Sequence, residues 1–200
     1  MKKLVYLISP NNIYKNFYID LQKVLAFKNV AFFQLRLKKT PKNKIIKIAK
    51  KIKKITKKNK IKLIINDNPK IANLINAEGC HLGQKDGSVA LGRKYLKYKI
   101  IGVTCHNSKS LAEIAIENKA DYLAFGSFSK SRLKPKAKRA NIKILKWAKK
   151  KINKPIVAIG GINNLNYKRL IKAGAKYIAI SSYIWDNPKL KPEFAIRKFK

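Results

Sequence analysis

Eight short β-rich runs alternate with eight segments of helical period, and this alternation constrains the fold more than any other feature of the chain. The runs are KLVYLIS, VAFFQLRL, KLIIND, GCHLG, KIIGVTC, YLAFGS, PIVAIGG and YIAISS. Residues 14–28, 42–58, 69–77, 88–97, 108–119, 141–152, 164–173 and 188–198 each set an apolar stripe against a lysine-rich face. Strand and helix in alternation predict a parallel sheet covered by helices. Eight such pairs in 200 residues predict an α/β fold, a single-domain (β/α)8 TIM barrel over residues 1–200, at the small end of its size range. An open doubly wound sheet usually needs fewer strands. No Pro/Gly/Ser-rich linker or shift in composition divides the chain.

The second run, continued as FFQLRLKK, carries an amide and two cations at alternate positions. In an extended chain Phe33, Leu35 and Leu37 project to one side and Gln34, Arg36 and Lys38 to the other. In a barrel the first set faces the helices. The second rises inside toward the C-terminal mouth, where active sites of this fold sit. An arginine inside a barrel is costly unless something anionic compensates it, so its placement implies a negatively charged ligand or a carboxylate partner.

Other runs also end in polar or small residues: Asn66 and Asp67; His81, Gln84 and Asp86; Thr104 and His106; Gly160 and Gly161; Ser181 and Ser182. Five such endings at one edge define a rim. With only 9 acidic residues in the chain, Asp67 and Asp86 at two of them suit Mg²⁺ held together with a phosphate ligand. The plainer alternative is an Asx turn or helix cap for NDNP and a turn for QKDG. AIGGIN and AISS offer small residues and backbone N–H groups where barrels commonly bind phosphate, although a glycine pair after a strand is often only a tight turn. Lone histidines at strand ends are more often hydrogen-bonded packing residues than acid/base groups. Residues 127–141 are long and basic for a βα connection and predict a lid able to close over an anion, against the plainer reading of a solvated surface loop.

The formal charge is +39, from 48 Lys and Arg against 9 Asp and Glu. Such an excess ordinarily suggests a polyanionic partner. Here only six of the cations are arginine, and the lysines are scattered through helical stretches such as KIIKIAKKIKKITKKNK, as a solvated surface requires. Nucleic-acid binding would instead predict contiguous arginine and exposed aromatics on one face. Cys80 and Cys105 lie in apolar runs without C-x-x-C spacing, which argues against a disulfide framework or zinc site and fits a reducing cytoplasm. MKKLVYLIS is too short for a signal sequence, and no stretch approaches the roughly 20 apolar residues of a membrane span.

From about residue 4 to 185 the chain resembles the thiamine phosphate synthase family. The likeness rests on the Q-x-R-x-K strand in Gln34, Arg36 and Lys38, the N-D pair in Asn66 and Asp67, and the H-L-G-Q-x-D run from His81 to Asp86. The I-G-G-I and terminal Ser motifs complete it. The resemblance implies a TIM-barrel transferase joining hydroxymethylpyrimidine diphosphate to thiazole phosphate, with Mg²⁺. By matched position it implies that Gln34, Arg36, Lys38, Asn66 and Thr104 hold the pyrimidine diphosphate. Asp67 and Asp86 would bind Mg²⁺, and Gly161, Ser181 and Ser182 would cradle the thiazole phosphate. Arg36, Lys38 and Lys134 would stabilise the departing pyrophosphate.

Three departures stand out. Thr104 stands where the family usually has Ser, and Leu37 replaces an acidic residue. In the lid, Ser131, Arg132, Leu133 and Lys134 replace T-x-T-K, so one hydroxyl is lost. A lost hydrogen bond to a charged group costs roughly 1.5–3 kcal/mol, which nearby Lys130 and Lys136 are placed to offset. The alternatives are a thiazole tautomerase with the same barrel, which typically lacks the diphosphate and metal residues and uses a histidine where this chain has His106, or an inactive relative. Retention of Gln34, Arg36, Asn66, Asp67 and Asp86 argues against the tautomerase, whereas the Leu133 change leaves it open.

Overall fold

A computed structural model describes residues 3–129 and 138–200. The chain runs β1 (Val5–Ile8), α1 (Phe17–Leu25), β2 (Val30–Leu35), α2 (Lys42–Lys58), β3 (Lys62–Asn66), α3 (Pro69–Leu74), β4 (Gly79–Leu82) and α4 (Val89–Leu96). It continues β5 (Ile100–His106), α5 (Lys109–Glu117), β6 (Tyr122–Gly126), α6 (Lys143–Lys151), β7 (Ile156–Ile159), α7 (Tyr167–Lys172), β8 (Tyr177–Ile180), α8 (Ser182–Trp185) and α9 (Pro192–Ile196). The strands pair in chain order, all parallel, and β8 closes on β1, so the expected (β/α)8 barrel is the observed one. Most of the candidate lid, with Ser131 and Lys134, lies outside the described residues.

Two apolar clusters follow from the side-chain alternation of the strands. The larger lies between barrel and helices and contains Phe33, Leu35 and Leu37. The smaller fills the barrel with Tyr6, Ile8, Phe32, Ile64, Tyr122, Ala124, Val157 and Ala179. Phe32 anchors its lower layer, stacked on Tyr6 and edge-on to Tyr177, with ring centroids 5.2 Å apart in each case. Gly102, opposite Tyr122 in the register, makes room for that phenol: a Cβ there would lie 1.8 Å from the ring.

The helices start where short polar side chains can cap them. Asn68, Ser88 and Ser108 each accept a backbone N–H from the first turn of α3, α4 and α5. Several are shorter than their apolar period predicts. α3 ends at Leu74 rather than 77, because the chain turns through Asn76 at φ 52°. α9 starts at Pro192 rather than 188, where proline's fixed φ suits the first turn. α8, only four residues long, was not expected: a single turn is too short to show a helical period.

Candidate functional site

At the C-terminal ends of the strands lies a cavity of about 120 Å³, lined by Gln34, Arg36, Asn66, His81, Thr104, His106, Gly160, Gly161, Ser181 and Ser182 among others. These residues come from β2, β3, β4, β5 and the turns after β7 and β8, so most of the rim expected from the sequence meets in one space; Lys38, Asp67 and Asp86 are not part of its lining, and Gln84 instead donates its amide to the Thr104 carbonyl. Gln34 is 2% exposed and points inward from β2. Ser9, at the end of β1, pins the next residue of that inward row: its hydroxyl accepts the Arg36 N–H at 2.9 Å, and its one proton is shared between the Pro10 carbonyl at 3.1 Å and the Arg36 carbonyl at 3.2 Å. Ser9 too ends an apolar strand, in KLVYLIS.

Lys38, Asp67 and Asp86 meet beside Arg36. The Lys38 ammonium contacts the Asp67 carboxylate and lies 3.7 Å from Asp86 Oδ1. Burial lowers the Arg36 pKa, an effect that Asp67 and Asp86 oppose. Burial likewise pushes the Asp67 carboxyl above its ordinary value; its contact with Asp86 adds to this and Lys38 opposes it. Two carboxylates drawn together around one cationic group form a donor set suited to a hard cation whose remaining ligands are phosphate oxygens and water. Among the described residues no group of three or more His, Cys, Asp or Glu gathers for a metal.

The plainer readings of these acids are partly true. In NDNP the cap is Asn68, which accepts the Ile71 N–H at 2.9 Å. Asp67 is thereby left to meet Lys38, its N–H bonded to the His81 carbonyl and its backbone held at φ 63°. Asp86 does both jobs, because its Oδ2 also accepts the Gly83 N–H at 3.0 Å.

Across the barrel, Gly160 at φ 99° and Gly161 at φ 61° turn the chain against the cavity in a region that favours glycine. A Cβ on Gly160 would fall 2.6 Å from Ser127 Cβ and 2.7 Å from its Cα. Gly160→Ala is therefore expected to destabilise the fold by about 1–3 kcal/mol, read as a shifted midpoint in chemical denaturation. Ser181 donates its hydroxyl to the Ser9 carbonyl at 2.9 Å, so an anion there meets backbone rather than this side chain. Ser182 begins α8, in which the Ile184 and Trp185 N–H groups both bond the Ser181 carbonyl, at 2.8 and 3.1 Å.

His81 is buried and bridges Tyr122 and Thr104, at 2.8 and 2.7 Å. His106 stands at the cavity wall with φ 51°. Cys80 and Cys105 are buried as expected, and burial raises both thiol pKa values, that of Cys105 to about 12. No described helix is long and apolar enough to cross a membrane.

The profile of a family described as thiamine monophosphate synthase matches residues 5–184. A thiamine-phosphate synthase of Pelagibacter ubique is 58% identical, over 100% of this chain and 97% of its own length. One from Erythrobacter litoralis is 37% identical over 90% of this chain and 87% of its own. Among solved structures, thiamine phosphate pyrophosphorylase from Pyrococcus furiosus superposes with a TM-score of 0.87 at 23% identity, over 98% of this chain and 93% of that one.

Proposed function

This chain belongs to the thiamine monophosphate synthase family, and from that premise we propose that its barrel mouth joins hydroxymethylpyrimidine diphosphate to thiazole phosphate, giving thiamine phosphate and pyrophosphate. One observation carries the reading for this chain's own residues. Gln34, Arg36, Asn66 and Thr104 share a cavity with the Gly160–Gly161 turn and Ser182, and the Lys38, Asp67 and Asp86 cluster lies beside Arg36.

In this reading Gln34, Asn66 and Thr104 hold the pyrimidine, while Arg36 and Lys38 take the diphosphate. Gly161, Ser181 and Ser182 receive the thiazole phosphate, largely through backbone groups, and Lys134 adds a cation from the lid segment. Asp67 and Asp86 would hold Mg²⁺, which when bound supplies positive charge to the diphosphate oxygens. The bond between the pyrimidine methylene carbon and the diphosphate oxygen breaks, and its electron pair leaves with pyrophosphate. The thiazole nitrogen then donates its lone pair to the pyrimidinyl-methyl cation, forming the C–N bond. No side-chain nucleophile is needed, so catalysis consists of positioning and of charge placed where the leaving group develops its own.

The thiazole tautomerase alternative would use His106 but would leave the Lys38, Asp67 and Asp86 cluster without a task. The reading assigns the protein to the cytoplasm, with small phosphorylated partners, and gives nucleic acid and membrane no role. Purified protein with both substrates and Mg²⁺ is expected to release pyrophosphate in step with thiamine phosphate, and to lose at least about 100-fold in rate on chelation. A folded protein that forms no product would overturn the assignment.

A further inference from the structure

Beneath the anionic rim lies a hydrogen-bond chain that the phosphate and metal chemistry leaves unused. Gln34 Nε2 donates to Tyr6 Oη at 2.9 Å, Tyr6 Oη lies 2.7 Å from Tyr122 Oη, and Tyr122 Oη lies 2.8 Å from His81 Nδ1. His81 Nε2 then lies 2.7 Å from Thr104 Oγ1. Gln34, His81 and Thr104 line the cavity, whereas Tyr6 and Tyr122 lie below it, in the barrel cluster. The chain therefore crosses the barrel floor and surfaces at two separate strands, β2 and β5.

Each phenol has one proton to give, so a continuous chain of this kind can run in only two senses. With Gln34 Nε2 on Tyr6, the Tyr6 hydroxyl must donate to Tyr122, since Tyr6 would otherwise accept twice and leave its own buried proton without an acceptor. Tyr122 then donates to His81 Nδ1, and a neutral His81 donates from Nε2 to Thr104. On the cavity lining Gln34 keeps Oε1 as an acceptor, beside the second proton of its Nε2, and the Thr104 hydroxyl is left as a donor. The opposite sense exchanges both ends at once. Burial holds both phenols above their ordinary pKa, so neither breaks the chain by ionising.

We propose that Tyr6, Tyr122 and His81 are positioning residues that fix the hydrogen-bond sense of the pocket, so that Gln34 presents an acceptor and Thr104 a donor. That pairing favours a ring offering an amine N–H and an acceptor nitrogen over one offering a carbonyl and a ring N–H. The inference rests on the synthase reading only for the identity of that ring, an aminopyrimidine. Gly102, which makes room for the Tyr122 ring, is part of the same device.

The chain contains two histidines, so ¹⁵N-histidine labelling gives a readable spectrum. In ligand-free protein at neutral pH, His81 is expected as the neutral tautomer protonated at Nε2. The Nδ1–H tautomer or an imidazolium would overturn the proposal. Tyr122→Phe cuts the chain at its centre: His81 should become a mixture of tautomers, and KM for the pyrimidine diphosphate should rise about tenfold with kcat changed less than about threefold. Tyr6→Phe frees Gln34 alone and serves if the first variant does not fold. It should raise KM similarly while leaving the His81 tautomer as in the parent protein. Either variant with unchanged KM, or Tyr122→Phe with an unchanged tautomer, counts against the chain. The tautomer measurement needs no turnover, so absence of product defeats the synthase reading while the spectrum still decides the chain.

Discussion

Asp67→Asn is expected to lower kcat by about 100- to 1000-fold while leaving the barrel folded, the loss typical of removing one preorganised electrostatic group from an active site. Asparagine is the right replacement because Asp67 sits at φ 63°, a conformation that Asn tolerates and Ala does not. The backbone bond to the His81 carbonyl survives the change. What disappears is one of the two negative charges that Lys38 and Arg36 face. Asp67 is a cleaner target than Asp86, whose carboxylate also holds the Gly83 N–H. The folded state should not suffer, since burial already disfavours the ionised Asp67 carboxyl. Thermal melts by circular dichroism check the fold, and Mn²⁺ titration by electron paramagnetic resonance should show weaker cation binding. Unchanged pyrophosphate release would remove Asp67 from the metal assignment.

How far the sequence speaks for this site depends on the range of the interaction concerned. The parity of FFQLRLKK is local, and it placed Phe33, Leu35 and Leu37 against the helices and Gln34 and Arg36 at the cavity, as the structure has them. The eight-fold alternation is likewise a local signal summed along the chain. By contrast, NDNP offers three short polar side chains before a proline, and only the backbone conformation decides that Asn68 caps α3 while Asp67 meets Lys38. The floor of the pocket was illegible for a different reason. Tyr6 and Tyr122 are 116 residues apart and meet through barrel closure, which sequence periodicity does not encode. A signal did exist: a tyrosine at an inward strand position must find a partner for its hydroxyl. Ser181 is a third case. The resemblance implies a phosphate cradle built largely from backbone groups there, and the bond that commits the Ser181 hydroxyl to the Ser9 carbonyl depends on β8 lying beside β1.

Arg36→Met is expected to reduce kcat/KM by about 100- to 1000-fold, and Arg36→Lys to recover little of it. The guanidinium is a planar fork that meets phosphate oxygens two at a time, whereas an ammonium meets them as a point charge, and Lys38 already supplies one beside it. The backbone at this position is fixed independently of the side chain, because Ser9 bonds both the N–H and the carbonyl of residue 36. The loss should therefore come from charge and geometry at the leaving group rather than from a displaced strand. Burial disfavours the charged guanidinium, and the two carboxylates only partly offset this. Asp67 and Asp86 keep Lys38 as a cationic partner in the Arg36→Met variant, so a thermal melt should still show a folded barrel. The two substitutions also probe one another. If Arg36 acts on the diphosphate directly, Arg36→Met should leave Mn²⁺ binding to the substrate-free protein intact or tighter, because the carboxylate pair loses a competing cation, whereas Asp67→Asn weakens it. A methionine variant that turns over within about threefold of the parent would show that the arginine inside the barrel serves the carboxylates and not the leaving group.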